Sequence, residues 1–178
     1  MQILPASLPG VLVFRPTPHR DNRGLFVRTF DLALARERGL PEFIEDSQSR
    51  SRLGTIRGLH GRSGAGEAKL VRCARGAVHD VLVDARPDSP TFGQHEVFRL
   101  DDESFDHLFV PAGLLHGFQA ITELADMCYR IDSPHDPAED LTVRFDDADL
   151  DIRWPLPVTS VSERDRAADS WREVRDQL

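Results

Sequence analysis

The chain has 178 residues, one ordinary domain's length and too short for two full ones. It is 40% hydrophobic and 29% charged, which excludes a wholly disordered or collagen-like polypeptide. A net charge of −8 argues against a generic nucleic-acid binder, which presents a basic face, although a local arginine cluster would still suffice for a nucleotide.

The N-terminus Met1-Gln2-Ile3-Leu4-Pro5-Ala6 has no basic n-region, and Pro5 and Pro9 interrupt its apolar run. No stretch approaches the ~18–20 consecutive apolar residues of a membrane span. A cytoplasmic protein without a signal peptide and without a membrane partner is expected. Residues 1–30 read as two or three short strands, Gly10–Phe14 and Leu25–Phe30 among them, with Asp21-Asn22-Arg23-Gly24 as a turn. Asp31 to Arg38 is helix-like, with Asp31 as N-cap and Gly39 as the stop. Strand-like runs then follow at Lys69–Cys73, Val78–Asp84, Phe92–Leu100, His107–Val110, Leu115–Ile121, Met127–Ile131 and Leu141–Phe145. Turn signals at short spacing between such runs indicate an antiparallel sandwich or barrel.

The last segment changes period. Ser162-Glu163-Arg164-Asp165 resembles a capping box, and Ala167, Ala168, Trp171, Val174 and Leu178 recur at helical spacing, so one helix over about 163–177 is expected. No repeat or linker divides the chain, and the expectation is a single all-β domain, 1–178, with short peripheral helices. Cys73 and Cys128 sit inside apolar runs and read as buried free thiols.

Lys69 is the one lysine among 22 basic residues, and Tyr129 is the one tyrosine beside ten phenylalanines. Where composition favours Arg so heavily, a retained compact ammonium points to chemistry that a guanidinium does not perform.

Four segments together resemble a known family: Asp21-x-Arg23-Gly24; Arg57-Gly58-Leu59-His60 with Lys69-Leu70-Val71 nine residues on; Asp88-Ser89-Pro90-Thr91-Phe92-Gly93; and Pro111-Ala112-Gly113-Leu114-Leu115-His116-Gly117-Phe118. Asp146-Asp147, Ile152-Arg153-Trp154-Pro155 and Ser162-x-x-Asp165 complete the order. The set resembles the dTDP-4-dehydrorhamnose 3,5-epimerase family of deoxysugar-nucleotide epimerases. The resemblance implies a cupin-type jelly-roll β-barrel, a homodimer whose N-terminal strand reaches the neighbouring subunit's site, and a nucleotide-linked 4-keto-6-deoxy sugar as substrate. By the same resemblance His60 is the general base, Asp165 its partner carboxylate, Tyr129 the general acid and Lys69 the stabiliser of the enolate. Arg57 and His116 match substrate-contacting positions, and Arg23 and Phe26 match the nucleotide-binding strand.

Other positions depart from the pattern. Arg28 stands where the family usually has a Glu that recognises the pyrimidine, Glu45 and Ser47 replace Gln and Asn, Gly61-Arg62 replaces an aromatic-Gln pair, and His135 replaces an aromatic wall residue. All of these are substrate-contact positions, so the resemblance implies retained chemistry with an altered pocket.

A 4-keto sugar has acidic C–H bonds at C3 and C5. Epimerisation takes a proton from one face, holds an enolate and returns a proton to the other face, which needs a base, an oxyanion stabiliser and an acid. The expectation is cofactor-free inversion at C5 with C3 alongside, in rhamnose or specialised deoxysugar metabolism. Inversion at a single carbon, a 3,4-ketoisomerase and a non-catalytic sugar-nucleotide-binding barrel are the alternatives. No metal site is expected, because the first motif reads His60-Gly61-Arg62 rather than His-x-His, leaving only dispersed candidates such as Glu67 and His116.

Overall fold

The computed structural model describes residues 1–178, and strands dominate it. In chain order they are β1 (Gln2–Pro5), β2 (Leu12–Arg15), β3 (His19–Asp21), β4 (Gly24–Phe26), β5 (Glu45–Arg52), β6 (Ile56–Arg62), β7 (Lys69–Arg75), β8 (Ala77–Asp84), β9 (His95–Asp101), β10 (His107–Val110), β11 (Leu114–Ala120), β12 (Leu124–Ile131) and β13 (Asp140–Thr142). The helices are α1 (Leu32–Glu37), α2 (Glu163–Arg166) and α3 (Trp171–Arg175). A six-stranded sheet, β1-β2-β10-β7-β12-β5, faces a five-stranded sheet, β13-β6-β11-β8-β9. Every pairing between these strands is antiparallel.

Alternation along the strands places the core. Val71, Cys73, Val78, Leu82, Leu108, Leu114, Phe118 and Met127 meet between the sheets as the main apolar cluster. The residues between them in sequence point outward. On the five-stranded sheet, Leu59, Val81, Val83 and Leu115 pack under Trp171 and Val174 of the C-terminal segment. On the other sheet, Phe14, Leu70 and Phe109 pack beneath Phe30, Leu34, Leu40 and Phe43, so α1 and its flanks cover that face.

The expected helix at Asp31–Arg38 is present, with Asp31 Oδ1 accepting from Ala33 N and Leu34 N and Gly39 at φ +68° just beyond it. The expected strand at Leu25–Phe30 ends at Phe26, and the run at Phe92–Leu100 starts as a strand only at His95. Residues before His95 form a turn fastened to Asp84. That carboxylate accepts from Ser89 Oγ and Thr91 Oγ1, each at 2.6 Å, and from Arg86 Nε and NH2 at 2.8 and 2.7 Å.

Two expectations need correction. The single helix over about 163–177 is two short helices. Asp169 leaves the helical path to bridge Val143, where its carbonyl accepts from Arg144 N, and Ser170 starts afresh as the N-cap of a true capping box with Glu173. Cys73 is a buried free thiol, its ionisation pushed up to about 12 by burial. Cys128 is only half-buried, because it alternates outward between the inward-facing Met127 and Tyr129.

Candidate active site

One end of the space between the sheets opens into a polar cavity of about 300 Å³. Its walls include Glu45 and Ser47 of β5, His60, Gly61 and Arg62 of β6, Glu67 and Lys69 at the start of β7, and His135, Asp140 and Arg164 at the rim. Register explains the convergence. Ile131 of β12 lies between Glu45 and Lys69, and Tyr129, two residues deeper on the same face, lies between Ser47 and Val71.

His60 is held from behind. Its Nε2 lies 2.8 Å from Asp165 Oδ1, and the other carboxylate oxygen accepts from Gly58 N at 3.2 Å. Asp165 is the third residue of α2, and its own N–H donates to the N-cap Ser162 Oγ at 3.0 Å. The cap therefore uses the backbone of Asp165 and leaves its side chain to the histidine. Burial pushes this carboxyl up, but the hydrogen bond and charge of His60, with help from Gly58 and Ser162, outweigh it and hold Asp165 below the usual carboxylate range. The dyad is thus a carboxylate orienting an imidazole, and Nε2–H donation to Asp165 leaves Nδ1 with the free lone pair.

Gly58 has a second role. A Cβ there would lie 2.5 Å from Gly117 Cα, so the two glycines let β6 and β11 close on each other. The register shifts beside this contact and sets His60 opposite His116. His116 is buried and its Nε2 lies 2.8 Å from Asp80 Oδ2, while the Tyr129 ring packs edge-on against it at 6.2 Å between centroids. The phenol shares a 3.2 Å hydrogen bond with Ser49 Oγ. Burial pushes the Tyr129 ionisation well up, only partly offset by Ser49, so the hydroxyl keeps its proton at neutral pH and is fit to donate it. Arg57, exposed on β6, donates from Nε to the buried Ser51 Oγ at 3.0 Å.

His60, Lys69, Glu45, Ser47, Arg62 and His135 therefore line one cavity, with Asp165 behind His60 and the Tyr129–His116 pair deeper between the sheets, while Arg57 is exposed and does not line it. Nor do Arg23, Phe26 and Arg28. β3 and β4 pair only with each other, Phe26 is 68% exposed, the Arg23 guanidinium stacks its donors on Asp21 at 2.6 Å, and Arg28 pairs with Asp31. Sequence reasoning missed Asp80, whose inward place between Val78 and Leu82 was the available signal: an acid on an apolar face needs a partner. It also treated Glu67 only as a dispersed ligand candidate, although the residue stands 2.6 Å from the sole lysine. No group of three His, Cys, Asp or Glu side chains is arranged to hold an ion.

The dTDP-4-dehydrorhamnose 3,5-epimerase family model matches residues 5–173. The chain belongs to this family. It is an isomerase with a cupin-type fold. A dTDP-4-dehydrorhamnose 3,5-epimerase of Methanothermobacter thermautotrophicus is 36% identical over 98% of this chain and 95% of its own length. A dTDP-4-dehydrorhamnose 3-epimerase of Streptomyces niveus is 37% identical over 99% of the chain and 86% of its own length. Among solved structures, the 3,5-epimerase of Legionella pneumophila in complex with dTDP-4-keto-L-rhamnose superposes with a TM-score of 0.94 at 32% identity, covering 99% of this chain and 95% of that one.

Proposed function

We propose that the protein epimerises a dTDP-linked 4-keto-6-deoxyhexose, inverting C5 with C3 alongside. The observation that carries this reading is the His60–Asp165 dyad opening on the same cavity as Lys69, with Tyr129 on the facing sheet. His60 removes the proton from the carbon beside the ketone. The C–H electrons become the C=C bond of an enolate, and the charge gathers on O4, where an ammonium such as Lys69 opposes it. Tyr129 returns a proton from the other face and is itself reprotonated from solvent, while the His60 imidazolium releases its proton to water. Asp165, already ionised, stabilises that imidazolium.

The Legionella relative, with its dTDP-4-keto-L-rhamnose, supports the substrate class. The Streptomyces niveus relative, a 3-epimerase, favours inversion at C3 alone as the second reading. Retention of Tyr129 as the only tyrosine supports C5. Incubation with dTDP-4-keto-6-deoxyglucose in deuterated water, with the product trapped by reducing the ketone and read by NMR, is the test. Deuterium at C3 and C5 with C5 inverted is expected. Inversion at C3 alone overturns the C5 assignment, a ketone moved to C3 marks a ketoisomerase, and no exchange marks a binding barrel.

The same reading includes a homodimer. The self-paired β3–β4 hairpin carries Arg23, Phe26 and Arg28 on an exposed arm, which supports its reaching the nucleotide in a second copy's site. Two unpaired cysteines fit a cytoplasmic setting, and no helix is long and apolar enough to cross a membrane.

A further inference from the structure

We propose that Glu67 is a positioning residue that, together with Arg62, fixes the Lys69 ammonium at the reacting end of the cavity. This rests on the reading of Lys69 as the partner of the enolate. Glu67 is shared between two cations: Oε1 stands 2.6 Å from Lys69 Nζ and Oε2 stands 2.9 Å from Arg62 Nε. All three side chains are nearly shut off from water, at 9%, 12% and 4% exposure for Glu67, Lys69 and Arg62. Arg62 is anchored in turn, donating from NH1 to Ser133 Oγ and the Pro134 carbonyl and placing NH2 3.1 Å from His135 Nδ1. A flexible four-carbon stem is thereby tied through one carboxylate to the loop that forms the cavity's rim.

Charge balance explains why the arginine belongs to the arrangement. A Glu67–Lys69 pair alone would be neutral, and a developing enolate beside it would meet no net charge. With Arg62 included, two cations share one anion and the cluster keeps one positive charge. Glu67 without its partners, or either cation without Glu67, would be a buried charge left uncompensated. Oε2 is buried and accepts no hydrogen bond, so its link to Arg62 is one of charge and proximity.

The single lysine makes the test clean. Protein labelled with [13Cε]lysine gives one Cε signal, whose two attached protons are inequivalent while the stem is held and merge when it is free. Glu67→Gln is expected to merge them and to lower kcat for deuterium exchange by about 10²-fold, the scale of a misplaced charge-stabilising group, with KM nearly unchanged. Glu67→Asp keeps the charge one methylene short and is expected to recover to within about tenfold of wild type. It carries the same test should Glu67→Gln not fold. An unchanged kcat, or a raised KM with the inequivalent proton pair intact, would overturn the proposal, the second outcome marking Glu67 as a direct sugar ligand. Absence of exchange in the wild-type protein would instead defeat the epimerase reading, while the lysine signal would still decide whether Glu67 holds the ammonium.

Discussion

His60 and Asp165 lie 105 positions apart in sequence and meet at 2.8 Å, so each supplies what the other lacks. Asp165→Asn keeps the shape and the Ser162 bond but removes the charge that supports an imidazolium. A loss of about 10²-fold in the exchange rate is expected, against about 10²–10⁴-fold for His60→Asn, with unchanged urea midpoints as the control for folding. Tyr129→Phe separates the steps. It deletes the proposed proton donor and the Ser49 hydrogen bond but leaves the proposed base, so substrate should still exchange deuterium while inversion at C5 is lost. Full C5 inversion by Tyr129→Phe would remove the phenol from the mechanism. Composition singled out Lys69 and Tyr129 as the only residues of their kind, and the family resemblance pointed to His60 and Asp165. Their surroundings were not legible in the sequence. Nothing local says that Ser49 will face Tyr129 or that Asp80 will hold His116, since each contact depends on the register of strands 36 or 80 residues apart.

At the scale of elements, hydrophobic alternation recovered most strands of the apolar core but missed β5 and β6, both of which carry cavity residues. β5 reads Glu-Asp-Ser-Gln-Ser-Arg-Ser-Arg without one apolar residue, yet it pairs with β12 along eight positions. Of its inward residues Glu45 and Ser47 line the cavity while Ser49 and Ser51 bond to Tyr129 and Arg57, and its outward Arg50 is held by Asp126 at 2.6 Å, so the period-2 signal carries no hydrophobic contrast. The C-terminal helix was misjudged for a related reason: a 3.6-residue recurrence does not register that Asp169 has a better backbone partner in Val143. The Asp88–Gly93 motif, part of the family resemblance, proves to be an anchored turn. Burial alone would raise the Asp84 carboxyl, but Arg86, Ser89 and Thr91 together hold it far below the usual range. A depressed carboxyl contributes stability that is fully present above its unfolded value of about 3.9 and is lost as pH falls toward the folded value. Asp84→Asn should therefore cost about 3 kcal/mol at pH 7, and its urea midpoint should change less than that of wild type between pH 6 and pH 3. Equal acid sensitivity in the two proteins would show that the loop is held by other contacts.

At the scale of the whole molecule, the chain places its candidate site residues in two regions. His60 and Lys69 line the cavity, with Asp165 behind the histidine and Tyr129 deeper between the sheets, whereas Arg23 and Phe26 ride a hairpin whose strands bond only to each other and Arg28 follows it. An exposed phenylalanine beside two arginines suits a flat base and a diphosphate, and such an arm is of most use where it meets a cavity. In a two-fold dimer each arm would complete the partner's site, and each site would then need residues from both chains. This arrangement predicts complementation between two defective proteins. His60→Asn removes the proposed base from its own subunit's cavity, and the double variant Arg23→Ala, Phe26→Ala should weaken nucleotide capture in the other subunit's cavity. A hybrid dimer of the two has one site carrying both defects and one site carrying neither. Random reassortment makes half of the dimers hybrids, so a mixture that is exchanged and refolded together should regain about a quarter of wild-type activity at low substrate. Variants assayed without reassortment should regain none. A mixture no more active than the sum of its parts would place the arm over its own subunit's cavity, and a monomer in light scattering at micromolar concentration would remove the partner altogether.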